Sequence, residues 1–274
     1  MTGTGIEGYR IYLAHRDGEA DLLHRRLANR EEFFASLEAD PVRSARPVDR
    51  HVFLRNLRRR RPEPGLPREM LFLLATAKLN QAERFGVDLG DTYGRIGGED
   101  EPPERVYLAL EEHYHTRLLA YVLDIFGLPF HVVVPPFVMR QFVKMEVFLP
   151  KRFAFPFVGA AEMAGCIMFD ELRRVGVELF ADEPDVAARI DRLYTEILTD
   201  ELGHVGYCAA RCTRAERVIM RWLYPLFGRL FARQTAEISV LTDPEKLHAR
   251  LDAPFDVEGL AAGVSNETFV AAHP

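Results

Sequence analysis

Apolar residues recur at intervals of three and four through most of this chain, and the spacing predicts a series of helices. From Glu19 to about Leu37, the residues Leu22, Leu23, Leu27, Phe33, Phe34 and Leu37 give an amphipathic helix ahead of the main body. Asp40 to Pro67 is rich in Pro and Arg, with Arg58 to Arg61 consecutive, and reads as a solvated loop. Leu66 to Leu89 is the first long helix, with Phe72, Leu73, Thr76, Leu79 and Val87 on its apolar face. After a loop from Gly97 to Pro103, a second helix carries Leu108, Leu119 and Val122 on one side and runs to about Phe126, where Gly127 stops it. Leu128 to Phe157 is irregular, with Pro129, Pro135, Pro136, Pro150 and Pro156 among many phenylalanines and a short helix from Phe137 to Phe148. A third long helix, Val158 to Leu179, presents Val158, Gly159, Gly165, Cys166 and Phe169, leaving Asp170, Glu171, Arg173 and Arg174 on a wetter side. Pro184 opens a fourth, which runs to about Cys212 with Ile190, Leu193, Tyr194, Ile197 and Cys208 together. A fifth spans Ala215 to about Leu241, and residues 242–274 form a weakly patterned tail expected to pack outside the bundle. The expected division is thus a lead-in (1–65), a helical bundle (66–241) and a tail (242–274).

Against this pattern, certain polar residues stand on apolar faces. Glu83 does so in the first long helix and Glu162 in the third, where a lone carboxylate is costly. Glu69, near a helix start, is explained by the helix dipole. The second and fourth helices each carry an acidic-Glu-x-x-His stretch: Glu111-Glu112-His113-Tyr114-His115 and Asp200-Glu201-Leu202-Gly203-His204. Residues three apart are neighbours on a helix, so Glu112 with His115, and Glu201 with His204, each set a carboxylate beside an imidazole. A single Glu-x-x-His is a common accident, and Glu245 with His248 supplies a control that reads as surface. The other two differ in their company. Each is preceded by an acid, Glu111 or Asp200, able to accept a hydrogen bond from the opposite motif's histidine, and each follows a helix with an inward glutamate. Four glutamates carry four negative charges and two neutral histidines none, so two divalent metal ions would balance the set.

Composition narrows the classes. The 274 residues, 48% hydrophobic, can bury a sizeable core. A net charge of -6 and a pI near 5.9 speak against generic nucleic-acid or anionic-membrane binding. Three cysteines, Cys166, Cys208 and Cys212, with no signal-peptide pattern, suggest free thiols in the cytoplasm. The longest apolar run, Leu118 to Met139, is broken by Asp124, His131 and prolines, so no bilayer span is expected. Gly3-Thr4-Gly5-Ile6-Glu7-Gly8 matches a dinucleotide fingerprint in letters alone, since no strand precedes it.

The paired motifs with Glu83 and Glu162 resemble the site of ferritin-like non-haem di-iron carboxylate proteins, over about Leu66 to Cys212. The resemblance implies an all-α fold: a ferritin-like four-helix bundle with one long crossover, plus additional N- and C-terminal helices. It implies two iron ions, with manganese also fitting, bridged by Glu112 and Glu201, with Glu83 and Glu162 terminal and one histidine, His115 or His204, on each. In the family such centres reduce dioxygen and oxidise a substrate. Ribonucleotide reductase small subunits carry a tyrosine where this chain has Leu119, aminoarene N-oxygenases an extra histidine where it has Ile197, and many hydroxylases a threonine where it has Cys166. Cys166 and Cys208 read as pocket thiols or small buried fillers. The expected function is a monooxygenase-type oxidoreductase that hydroxylates or N-oxygenates a small, largely apolar substrate, with desaturation as a variant. The competing class is a ferroxidase, iron-handling protein or manganese catalase, disfavoured by the extra segments before Leu66 and after Cys212. Because no other cofactor signature is present, an external reductase or ferredoxin is expected. A carrier protein at Arg58–Arg61 and a monomer or homodimer complete the expectations.

Overall fold

The computed structural model describes residues 28–92, 103–129, 135, 137–148 and 151–262. Among them the architecture is all-α, without strands. The helices are α1 (Ala28–Ala39), α2 (Arg50–Leu57), α3 (Arg68–Thr92), α4 (Pro103–Asp124), α5 (Phe137–Phe148), α6 (Lys151–Leu179), α7 (Pro184–Arg211), α8 (Arg214–Gln234), α9 (Ala236–Leu241), α10 (Pro244–Asp252) and α11 (Val257–Ala262). Four long helices make the bundle: α3 packs on α4 and α6, and α7 packs on the same two. The chain passes from α4 to α6 through α5, which lies against α3.

Local sequence explains the close fit. Residues 70–77 of α3 are buried all round because α2 and α9 cover the side that faces away from the bundle. A Cβ at Gly176 would stand 2.7 Å from Ile190 Cγ2 and 2.9 Å from Phe72, so a side chain there would force α3, α6 and α7 apart. Thr76 and Tyr194, both fully buried, share a 2.7 Å hydrogen bond that clasps α3 to α7. Burial pushes the Tyr194 hydroxyl far up, so it stays protonated. On the flank, α1 lies across α4, with Phe34 stacked on Tyr114 and Tyr121 and the Arg117 guanidinium 3.7 Å from its ring centre.

Several sequence expectations are corrected. The described part of the first helix begins at Ala28; Leu22, Leu23, Leu27 and the Gly3–Gly8 stretch lie outside the described residues, as does most of the Gly97–Pro103 loop. The lead-in is not a plain solvated loop. It contains α2, capped by Asp49 on the backbone of His51 and Val52, and Arg46 is fixed by Glu69, Asp182 and Glu183. Arg58–Arg61 is exposed. Helix α6 starts at Lys151, seven residues early and through Pro156, because ring contacts of Phe155 with Tyr207 and of Phe157 with Phe227 anchor its first turns. The expected fifth helix divides at Thr235 into α8 and α9, and the tail holds α10 and α11. Asp170 is not on a wet side, for Arg250 from α10 covers it and Glu171.

One helix, Phe153–Leu179, is long and apolar enough by length and composition to cross a membrane, contrary to the expectation that no segment qualifies; 61% of its apolar window is buried in the protein. Its hydropathy is that of the helix packed between α7 and α8.

Candidate metal centre

The six expected ligand residues converge at mid-bundle from α3, α4, α6 and α7. Two overlapping sets form: Glu83, Glu112, His115 and Glu201; and Glu112, Glu162, Glu201 and His204. Within each set one ligand atom per residue lies within 4.8 Å of all the others, and Glu112 and Glu201 belong to both. This carboxylate and histidine cluster follows the ferritin-like di-iron pattern and could hold metal. The control pair, Glu245 and His248, is exposed at the start of α10.

The histidines are held from behind. His115 Nε2 lies 3.2 Å from Asp200 Oδ2, and His204 Nε2 lies 3.0 Å from Glu111 Oε2. Each motif's leading acid thus bonds the other motif's histidine, which makes Nε2 a donor and turns Nδ1 toward the cluster, where a metal ion could take the place of its proton. Both Nδ1 atoms, and Glu201 Oε2, are buried without a hydrogen-bond partner. The rings stand 5.6 Å apart between centroids, and their Nδ1 atoms lie 3.1–3.5 Å from carboxylate oxygens of Glu112 and Glu201. So many buried carboxylates and ring nitrogens at these distances are costly to bring together unless protons or metal cations lie between them. The residues present therefore fit a two-metal centre.

The ionisation of the metal-free cluster tells the same story. Burial lowers the affinity of His115 and His204 for protons, but their acid partners outweigh it; His115 is held well above its usual value and His204 is raised to about 10. Burial, then repulsion from Glu112 and Glu201, pushes Glu83 well up, and burial with the Glu201 charge does so for Glu162. Burial also opposes the Glu112 charge, yet the two histidines hold it well below the carboxylate range. Four groups, His115, His204, Glu83 and Glu162, therefore retain protons, and the four positive charges of two divalent ions would replace them.

Sequence reasoning missed Arg30. It is 3% exposed, ion-pairs with Asp200, reaches Glu196 at 3.0 Å and lies 3.9 Å from Glu111, so one guanidinium serves both histidine-orienting acids. No motif marks it, for it sits on α1 some eighty residues from its first partner in a stretch of ordinary surface-like spacing. The expected pocket residues Leu119, Cys166, Ile197 and Cys208 are all fully buried among core side chains. Burial, then the Glu201 charge, pushes the Cys166 thiol well up. A cleft of about 430 Å³ between α1, α4 and α7, lined by Glu38, Arg43, Tyr121, Asp124 and Arg189 among others, shares no residue with the cluster.

The chain matches no family model, no curated protein and no solved structure.

Proposed function

We propose that this chain is a non-haem di-iron oxidoreductase of the ferritin-like kind, which uses dioxygen to oxidise a small, largely apolar organic molecule. The observation that carries the reading is the pair of ligand sets sharing Glu112 and Glu201, with both histidine Nδ1 atoms 3.1–3.5 Å from their carboxylate oxygens. Oxygen and nitrogen donors of this mixture suit iron, with manganese as the other candidate.

When bound, two ferrous ions would supply the electrons and coordination sites for dioxygen reduction. The protein's own contribution is placement. Asp200 and Glu111 fix the histidine tautomers, Arg30 balances those acids, and the apolar layer around Leu119 and Ile197 excludes water. The overall conversion takes substrate, dioxygen, two electrons and two protons to an oxygenated product and water. The electrons would come from a separate reductase or ferredoxin.

The test is anaerobic titration with ferrous iron followed by exposure to dioxygen. About two irons per chain and prompt oxidation are expected. Binding of less than one equivalent, or inertness to dioxygen, would sink the proposal. Catalytic disproportionation of hydrogen peroxide by a manganese-loaded sample, or iron uptake into a large hollow assembly, would redirect it to the metal-handling class.

A further inference from the structure

The net charge of -6 conceals an uneven distribution. Helix α8 alone carries Arg214, Arg217, Arg221, Arg229 and Arg233 against Glu216, five positive charges to one negative. Its inner face, with Met220, Tyr224 and Phe227, is buried. Its outer face is apolar: Val218, Ile219 and Leu226 are each at least half exposed, and Trp222 is 81% exposed. Spacings of three and four place these residues in one stripe. Arg214 lies one turn before Val218, Arg221 sits beside Trp222, and Arg229 and Arg233 continue the line beyond Leu226. Arg229 also pairs with Asp252, and Glu216 is engaged in the helix cap with Thr213. Phe153 is 51% exposed, one turn before Phe157, whose ring packs on Phe227.

An apolar stripe of this exposure is not left in water without reason. A second copy of the chain is a poor occupant, because a two-fold contact would set the arginines of α8 against the same arginines. A convex helix crest with an indole at its centre and guanidiniums at its ends suits a fluid anionic layer. The indole and aliphatic side chains enter the headgroup boundary, while the arginines extend to lipid phosphates. We propose that α8 is a peripheral docking element for an anionic lipid surface, with Trp222, Val218, Ile219 and Leu226 inserted and Arg214, Arg221 and Arg233 at the phosphates. This inference is independent of what the metal centre does.

Trp222 is the only tryptophan of the chain, so its fluorescence reports on this face directly. Full-length protein is mixed with vesicles of phosphatidylcholine alone, or of phosphatidylcholine with phosphatidylglycerol. A blue shift and co-sedimentation are expected with the anionic vesicles, fading as salt is added. Arg221→Glu with Arg233→Glu should weaken partitioning by about tenfold or more. Trp222→Glu with Leu226→Glu should abolish co-sedimentation while leaving helicity and melting unchanged, since both side chains face outward. The proposal is overturned if neither vesicle shifts the emission, if the Trp222→Glu with Leu226→Glu variant still sediments, or if the face instead supports a concentration-dependent dimer that this variant loses.

Discussion

The two sides of the carboxylate cluster are built on opposite principles. Behind the histidines, His115, His204, Glu111, Asp200 and Arg30 are 0–3% exposed and linked by hydrogen bonds and by the ion pairs of Arg30. On the other side, Glu83, Glu112 and Glu162 are only partly buried. The closed side fixes which nitrogen of each ring is a donor and cannot rearrange without stranding a charge. The other side presents carboxylates that are less completely covered. The contrast suggests where rigidity is needed in the site.

The strongest test of this contrast is at the residues common to both ligand sets. Glu201→Ala, and separately Glu112→Ala, should lose both metals in elemental analysis of iron-loaded protein, whereas Glu245→Ala on α10 should keep them. If Glu245 mattered and Glu201 did not, the site assignment would collapse.

Next in size is the closed side itself. Arg30→Met removes the buried guanidinium shared by Asp200 and Glu111, and should cost about 3–5 kcal/mol of stability by denaturant titration. A loss below about 1 kcal/mol, the scale of a surface pair, would mean that the closed side is not closed.

Milder changes there should be felt through the metal. Asp200→Asn and Glu111→Gln keep the shape but weaken the acceptor for each histidine, and should lower metal affinity about 10–100-fold with little change in helicity. Unchanged affinity in both variants would show that these acids do not act through the metal.

The gentlest probe is pH. In metal-free protein, His115, His204, Glu83 and Glu162 hold protons more tightly than in the unfolded chain. A raised folded-state value stabilises at low pH, and that stability is lost as pH rises through it. For His204 the window runs from an unfolded value near 6.5 to about 10. Glu112 has the opposite sign, contributing above its unfolded value and losing it in acid. The melting temperature of metal-free protein should therefore fall from about pH 6.5 toward pH 10, and metal loading should remove the slope. Metal uptake near neutral pH should release up to about four protons, countable by calorimetry in buffers of different ionisation enthalpy. Release of none would show that the histidines are already neutral.

Much of the site was legible because helical spacing is a local property. Three residues between Glu112 and His115, or Glu201 and His204, decide their common face whatever the rest of the chain does. Glu83 and Glu162 were visible as charges on apolar stripes. The crossed pairing of Glu111 with His204 and Asp200 with His115 could be anticipated, since two antiparallel copies of one motif exchange their leading acids. The same reasoning read Asp170 as wet, because a helix face says nothing of what covers it.

The amino-acid order by itself determined an all-helical chain and a set of carboxylates and imidazoles that cannot be buried without compensation. Only the tertiary structure decided what compensates and what covers. Arg30, from a helix with no motif, meets Asp200 because α1 lies over the junction of α4 and α7. Pro156 sits inside a helix because rings from α7 and α8 hold its first turns. The charge of the whole chain is acidic, yet α8 turns its arginines and Trp222 outward together. Such pairings depend on contacts between residues far apart in sequence, and their energies arise only when the helices have packed.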